Sequence, residues 1–183
     1  MPETRVILVD KTDKPVGSAE KQVAHVHGLL HRAFSLFVFN SQGELLIQQR
    51  NKGKYHTPGL WSNTCCSHPS PDEDLVTAIH RRLPEEMGFN CKLSKIFMCY
   101  YHIELDKHLI EHENNHVYIG LFDQEPRPNP AEVEDWRWRN LEDLFQEISG
   151  AAQNFTPWFR LIIQDYHPIL QDALRTLATR KQP

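Results

Sequence analysis

The sequence lacks a long run of apolar residues, and this absence argues against a membrane-spanning helix. No stretch approaches the roughly 20 apolar residues that a helix needs to cross a bilayer. Residues 1–5 also lack the positively charged and then apolar pattern of a signal peptide. We therefore expect a cytoplasmic protein with no membrane partner.

An excess of basic charge is missing too. Lys and Arg number 20 against 24 Asp and Glu, and the net charge at pH 7 is −4. A general nucleic-acid surface needs clustered positive charge, so we expect no nucleic-acid partner, although a small basic pocket is compatible with this balance. Cysteines number only four, and the adjacent pair Cys65 and Cys66 is awkward for a disulfide, which favours reduced thiols.

Internal repeats, low-complexity tracts and domain linkers are also absent from the sequence. The chain has 183 residues, of which 40% are hydrophobic, and this favours one domain over residues 1–183 with a sizeable core. The sequence does not indicate an oligomeric state.

Several segments have the period of strands or helices. Strand-like runs lie at 6–9, 32–39, 44–50, 95–102, 115–122 and 136–138, with a hairpin turn at 40–43. Helical spacing follows residue 71 and ends before Gly88, then recurs at 141–148 and at 158–177 with an interruption at Pro168. Pro84 should kink or shorten the first of these helices, because proline lacks a backbone donor.

Two short segments carry most of the chemically active side chains. Cys65, Cys66 and His68 lie in the first segment, and Glu111 and Glu113 in the second. A compact fold can bring the two together, and a thiol, a histidine and two carboxylates are the groups of an acid/base site beside a metal. The 11 histidines also cluster, at 25–31, 56–68 and 102–116.

The segment 67–89 resembles the Nudix box. The residues in register with that motif are Glu73, Arg81, Leu83, Glu85, Glu86, Gly88 and Phe89. Two positions depart from it: Ser67 stands where the family has Gly, and Arg82 stands where hydrolytic members have a metal-binding Glu. Replacing a carboxylate with a cation should weaken metal-assisted attack by water and leave a place for an anionic diphosphate.

Over nearly its whole length, the chain resembles the type 1 isopentenyl-diphosphate isomerases of the Nudix superfamily. The resemblance rests on Glu20 and Lys21, His25, the run 61–69, Arg81 and Arg82, the run 111–113, and the run 155–158. It implies an α/β fold, a mixed sheet flanked by helices around a buried cleft. It also implies the interconversion of isopentenyl and dimethylallyl diphosphate by proton addition and removal.

The resemblance also implies catalytic roles. Cys66 and Glu113 match the cysteine and glutamate that lie on opposite faces of the substrate in this family, and Tyr101 matches a tyrosine that supports the acid. Protonation of the alkene gives a tertiary carbocation, which an aromatic face can stabilise. Trp158 matches the family residue in that position. Cys65 is expected to pack in the core.

Metal and diphosphate ligands follow from the same resemblance. His25, His31, His68, Glu111 and Glu113 match the five ligands of a first ion, and imidazole mixed with carboxylate suits manganese or zinc. His27 is an alternative to His25, because the loop between the first two histidines is short. A second ion, Mg²⁺, would bind Glu86 and the Cys66 backbone beside the substrate diphosphate, which the cations Lys21, Arg50, Lys54 and Arg82 would hold.

Taken singly, each of these residues has a structural interpretation. A lone histidine, tryptophan or lysine is more often a packing or surface residue than a functional one, and only the combined pattern favours a site. Two other functions stay open at this stage, a Nudix diphosphate hydrolase and a catalytically inactive binding module. His56, His102, His108, His112 and His116 have no predicted role and are expected at the surface or behind the ligands.

Overall fold

The computed structural model describes residues 5–105 and 108–179. Nine strands run over Arg5–Val9 (β1), Pro15–Glu20 (β2), His31–Phe39 (β3), Glu44–Arg50 (β4), Trp61–Ser62 (β5), Cys65–Ser67 (β6), Leu93–Glu104 (β7), Ile110–Leu121 (β8) and Val133–Asn140 (β9) within these ranges. The helices are Lys21–His27 (α1), Leu75–Met87 (α2), Leu141–Gly150 (α3), Pro157–Asp165 (α4) and His167–Thr179 (α5), and a 3₁₀ turn covers Ala152–Asn154.

All nine strands belong to one mixed sheet. Strand β3 is its centre, since it pairs with β1, β4, β6 and β8. The pairing of β3 with β8 is parallel, whereas the other pairs among the described residues are antiparallel. The sheet therefore places residues that lie about eighty positions apart in sequence side by side.

Helices cover both faces of this sheet. Successive side chains on β3 point in opposite directions, and most of them are apolar, so both faces bury apolar side chains against helices. Phe37 and Phe39 are fully buried against a cluster that includes Phe159 and Ile162 of α4. Leu36 and Val38 of β3 point to the opposite face. There they pack with the side chains of helix α2, which include Ile79, Leu83 and Met87. The predicted α/β fold, a mixed sheet between helices, is confirmed.

Most sequence-based elements are also confirmed, with different ends. The hairpin of β3 and β4 lies close to its predicted bounds, and Pro168 falls near the break between α4 and α5. Strand β8 begins at Ile110, five residues before the predicted start at Asn115. This extension matters because it includes both Glu111 and Glu113. Strand β2 and helix α1 were not predicted.

Of the two effects expected of Pro84, shortening does not occur, because helix α2 continues past it to Met87. The carboxylate of Asp74 accepts a hydrogen bond from the Thr77 backbone N–H at 2.8 Å and caps its start, and Gly88 ends it with φ +75°. Pro84 lies in the last turn, so its missing N–H removes one hydrogen bond from an otherwise continuous helix. Arg82 and Glu86 consequently lie one turn apart on the same face.

No helix among the described residues has the length and apolar character needed to cross a membrane. The four cysteines are free thiols. The assignment of residues 1–183 to one domain stays a prediction.

Candidate metal centre and substrate pocket

Strand β8 supplies two carboxylates to one face of the sheet. Glu111 and Glu113 are separated by one residue, so their side chains point the same way, and each is only 4% exposed. Strands β3 and β7 flank β8 and place His31 and Tyr101 directly beside Glu113 in the strand register. The sheet itself therefore brings together a histidine, a tyrosine and a glutamate.

Four of the five predicted ligands of the first ion form a tight group. The donor atoms of His25, His31, His68 and Glu113 all lie within 4.8 Å of one another. The Nε2 atom of His68 is 2.8 Å from Oε1 of Glu113 and 3.2 Å from Nε2 of His31. Neighbouring donors on an ion of ordinary metal–ligand distance lie about 3 Å apart, so this spacing suits a single bound cation.

The backbone orients two of these histidine rings. The Nδ1 atom of His25 lies 2.6 Å from the carbonyl oxygen of Lys21, and that of His31 lies 2.8 Å from the carbonyl of Leu29. A carbonyl only accepts, so each Nδ1 carries the proton and each Nε2 presents a lone pair to the cluster. The Nε2 atom of His25 is buried with no hydrogen-bond partner among the described residues, as expected for a metal ligand.

A second group shares His25 with the first. It consists of His25, His56 and Glu111. Oε2 of Glu111 lies 3.3 Å from Nε2 of His25, and Oε1 lies 3.5 Å from Nε2 of His56. All five predicted ligands thus meet around His25, and a residue without a predicted role joins them.

The position of His27 decides between the two histidines of α1. His27 is exposed, whereas His25 is fully buried with its ring in the cluster. Both described groups of donor atoms contain His25 and neither contains His27. Helical geometry explains the choice, because residues two apart on a helix point to different sides.

The site lies in a pocket that also contains the predicted catalytic residues. Its walls include Cys66, Tyr101, Glu113 and Trp158, together with Lys21, Arg50, Lys54, Arg82 and Glu86. Cys66 reaches it from β6, which pairs with β3 at Ser35. Burial raises the pKa of the Cys66 thiol to about 11, although the charge of Arg50 acts against this rise. The thiol is therefore neutral at ordinary pH.

Glu113 sits in a network that favours its ionised form. Tyr101 donates a hydrogen bond to Oε2 of Glu113 and accepts one from Nδ2 of Asn115 at 2.6 Å. Burial acts to raise the pKa of Glu113, but hydrogen bonds, of which the one with His31 has the largest effect, outweigh it and lower this pKa to about 2. Burial also raises the pKa of Tyr101 well above its ordinary value, so the phenol keeps its proton.

Ser62 links the thiol to the aromatic wall. Its hydroxyl oxygen accepts a hydrogen bond from Nε1 of Trp158 at 3.2 Å and lies 3.9 Å from Sγ of Cys66. Sequence reasoning missed Ser62, because a serine in a two-residue strand has no distinctive pattern. Trp158 is 4% exposed, and its ring lies 5.4 Å from Cζ of Arg50.

The four predicted diphosphate-binding cations are brought together at the same pocket. Arg82 bonds Glu86 on the next turn of α2, with 2.5 Å between its Nη2 atom and Oε1. Lys54 forms an ion pair with Glu132, which also lies 3.5 Å from Nη2 of Arg82. Burial lowers the pKa of Lys21 and of Lys54.

Glu86 is buried at the pocket and accepts a hydrogen bond from Nε2 of Gln48 at 3.1 Å. It belongs to neither group of candidate metal ligands found among the described residues. One carboxylate next to a place for a diphosphate is nevertheless the donor set that suits Mg²⁺, which is commonly held by one or two carboxylates and substrate phosphates.

The remaining histidines have mixed positions. His102 and His108 are exposed, as expected, and His112 contacts the carbonyl oxygen of Gly28 through Nδ1 at 2.7 Å. Of the two positions expected for His116, the surface is excluded, because it is 3% exposed and its Nε2 lies 2.9 Å from Oδ2 of Asp13. His56 is also buried, at 7% exposure, beside the metal-ligand candidates.

Comparisons with known proteins agree with this architecture. Residues 29–159 match the NUDIX domain. A Deinococcus radiodurans protein of known crystal structure superposes with a TM-score of 0.74 at 20% identity, covering 88% of this chain and 98% of that one. The MutT protein from Methanosarcina mazei superposes with a TM-score of 0.63 at 16% identity, covering 76% and 94%. These likenesses show the fold.

Proteins related in sequence identify the family within this fold more specifically. An isopentenyl-diphosphate Delta-isomerase from Pectobacterium atrosepticum is 50% identical over 169 residues, which cover 91% of this chain and 94% of that protein. The isopentenyl-diphosphate Delta-isomerase 2 of Photorhabdus laumondii is 52% identical over 86% of this chain and 89% of its own. The chain belongs to the isopentenyl-diphosphate Delta-isomerase family.

Proposed function

We propose that this chain interconverts isopentenyl diphosphate and dimethylallyl diphosphate by protonation and deprotonation through a tertiary carbocation. One observation carries the proposal: Cys66 and Glu113 line the same pocket as a buried tryptophan and a group of four cations. A pocket that combines two proton-transfer groups with clustered positive charge fits a small alkenyl diphosphate.

Proton transfer is the task of Cys66 and Glu113. One group gives a proton to the carbon–carbon double bond, and the other removes a proton from the carbon on the far side of the cation. In the reverse direction the two groups exchange roles. Tyr101 bonds Glu113 and retains its own proton, so it can assist on the carboxylate side. Both proton-transfer groups are positioned by paired strands, which holds their separation fixed.

The carbocation needs stabilisation without a nucleophile that would trap it. The face of an indole ring provides this through its negative quadrupole. Trp158 lines the pocket, and its bond to Ser62 holds the ring in place. Burial of the pocket residues also excludes water, which would otherwise convert the cation to an alcohol.

The diphosphate would be bound by four cationic side chains, those of Lys21, Arg50, Lys54 and Arg82. Their guanidinium and ammonium groups provide many donors of fixed positive charge. Glu86 and the backbone of Cys66 would hold Mg²⁺ beside the diphosphate, where it would neutralise part of the anionic charge.

The first metal centre would use His25, His31, His68, Glu111 and Glu113, with manganese or zinc as the ion. The buried lone pair of His25 Nε2 and the mixed nitrogen and oxygen donors fit such an ion. When bound, the ion supplies positive charge that fixes Glu113 and shifts its proton affinity. A cytoplasmic location, without membrane or nucleic-acid partners, completes the proposal.

The two alternative functions fit the pocket less well. A hydrolase needs carboxylates around a metal-bound water, and Arg82 instead places a cation beside Glu86. A binding module has no use for a buried thiol and a buried carboxylate in one pocket. Neither alternative accounts for Trp158 beside them.

The experiment is to incubate metal-loaded protein with isopentenyl diphosphate in deuterated water and to follow the reaction by NMR. We expect deuterated dimethylallyl diphosphate without phosphate release. Release of phosphate would support the hydrolase, and unchanged substrate with manganese, zinc and magnesium supplied in turn would support the binding module. Protein with Cys66→Ala is the control, because its metal ligands are intact.

A further inference from the structure

His56 is the buried residue of the site whose role neither the motifs nor the proposed mechanism explains. It lies between β4 and β5 and lines the pocket. Its ring is enclosed by three aromatic rings, with Tyr55 edge-on at 4.2 Å, His25 stacked at 5.5 Å and Trp158 edge-on at 5.9 Å between centroids. The packing therefore fixes the direction of both ring nitrogens.

The first nitrogen, Nδ1, faces hydrogen-bond donors. Nη2 of Arg50 lies 3.2 Å from it, and the hydroxyl of Thr57, which can also donate, is at the same distance. A guanidinium has donors only, so Nδ1 of His56 must accept. A doubly protonated ring would place two N–H groups against each other at this contact, so the ring is neutral.

The second nitrogen, Nε2, must then carry the proton, because a neutral imidazole has one donor and one acceptor. This Nε2 atom is buried without a hydrogen-bond partner among the described residues, and Oε1 of Glu111 lies 3.5 Å from it, within reach of a small adjustment of the carboxylate. The other oxygen of Glu111, Oε2, faces the metal-ligand candidate His25 at 3.3 Å. The carboxylate of Glu111 thus has one oxygen on the metal side and one on the His56 side.

We propose that His56 is a positioning residue that accepts a hydrogen bond from Arg50 and donates one to Glu111, so that it connects the diphosphate-binding cation to the first metal centre. The proposal rests on the proposed function, in which Arg50 binds diphosphate and Glu111 binds the ion. Carboxylate ligands of metals are commonly held by such outer hydrogen bonds, and these influence metal affinity.

The competing interpretation makes His56 a sixth ligand of the ion. A ligand nitrogen must present a lone pair, which requires the proton on Nδ1 and a clash of that N–H with the guanidinium of Arg50. His56 shares a group of donor atoms with His25 and Glu111, but it is absent from the group of four donors that contains His31, His68 and Glu113. Both observations favour positioning over ligation.

The test measures the affinity of the full chain for Mn²⁺ and the number of water molecules on the bound ion, by electron paramagnetic resonance and water-proton relaxation. We expect His56→Ala to weaken Mn²⁺ binding by about 10–100-fold with the number of bound waters unchanged. His56→Gln keeps an amide donor for Glu111 and should bind more tightly than His56→Ala. The matched control is His27→Ala, an exposed histidine on α1, which should bind Mn²⁺ like the wild type.

A double-mutant cycle tests the connection to Arg50. Arg50→Lys removes the guanidinium donor and should weaken Mn²⁺ binding several-fold in the presence of His56, measured without diphosphate. In the His56→Ala background the same change should have little effect, because the connecting residue is gone. Equal effects of Arg50→Lys in both backgrounds would overturn the connection.

The outcomes separate this inference from the proposed function. Wild-type affinity in both His56 variants would overturn the inference, and one additional bound water in His56→Ala would overturn it in favour of ligation. Either result leaves isomerisation by the wild type intact. The proposed function would instead be contradicted by the wild type itself, if that protein does not isomerise the substrate in deuterated water.

Discussion

His31 and Glu113 occupy directly paired positions on the parallel strands β3 and β8, with 3.5 Å between Nε2 and Oε1. Tyr101 occupies the paired position on the other side of Glu113, on β7. Glu113, the proposed catalytic carboxylate, therefore lies between a metal-ligand candidate and its own hydrogen-bond donor. A change in the register of β8 by one residue would turn Glu113 to the opposite face and away from both His31 and Tyr101.

The first prediction concerns the two proton-transfer groups. Cys66→Ala and Glu113→Gln should each lower kcat by about 10²–10⁴-fold, the usual contribution of general acid–base catalysis, while diphosphate binding is retained. The measurement is the NMR assay for turnover together with calorimetric binding of the substrate. Near-normal turnover in either variant would contradict the assignment. Cys65→Ser is the matched control, since Cys65 is fully buried in the core.

The second prediction concerns the cation-stabilising ring. Trp158→Leu should reduce kcat more than it raises KM, because a ring that stabilises the carbocation acts in the transition state. Trp158→Phe retains an aromatic face and should recover part of the rate. Steady-state kinetics measure both constants. An equal loss in kcat and in substrate affinity would assign Trp158 to packing.

The third prediction concerns Arg82. Arg82→Ala should raise KM more than it lowers kcat, because it removes a diphosphate donor present in ground state and transition state alike. It should not restore hydrolysis, since the position still lacks a carboxylate. Steady-state kinetics and a phosphate-release assay measure these effects. Arg175→Ala, at an exposed position on α5, should leave both constants unchanged.

The fourth prediction concerns the ionisation of Cys66. Because burial raises the thiol pKa to about 11, the folded state favours the protonated form. The wild type should therefore have its full free energy of unfolding relative to Cys66→Ser at a pH below the ordinary thiol pKa. This difference in free energy should be lost as the pH rises towards 11. Thiolate absorbance of chelator-treated protein, taken as the difference from Cys66→Ser, should rise with a midpoint near 11. A midpoint in the ordinary thiol range would show that the thiol is solvated.

The fifth prediction concerns the end of helix α2. A Cβ at Gly88 would lie 2.1 Å from the carbonyl oxygen of Arg127, and φ there is +75°. Gly88→Ala should therefore lower the free energy of unfolding by more than about 1–3 kcal/mol, the cost of such backbone strain alone. Gly150→Ala meets no atom within 4 Å and should be near neutral. Thermal or urea unfolding measures both, and equal stabilities would contradict the prediction.

The sequence predicts those parts of the site that lie on continuous motifs. Glu111 and Glu113 are two residues apart on β8, so the strand aligns both side chains on one face. Cys66 lies on β6, and His68 follows directly after the end of that strand. The helical period likewise predicts α2, whose C-terminal half carries Arg82 and Glu86 one turn apart on the same face.

The rest depends on contacts between distant segments. The parallel pairing of β3 with β8 is not encoded by either strand alone, and a short helix such as α1 has too few turns for a clear period. The role of His56 could not be predicted for the same reason. Its position in the site depends on Arg50 and Glu111, which come from separate elements, so a histidine in a loop could not be distinguished from a surface residue.

The shared contact of Glu132 with Lys54 and Arg82 has a further consequence for substrate entry. Both cations already contact one protein carboxylate, so a diphosphate that binds them would compete with Glu132. Binding strength then measures a competition between two anions, and a ligand with only one phosphate meets the same competitor with fewer contacts.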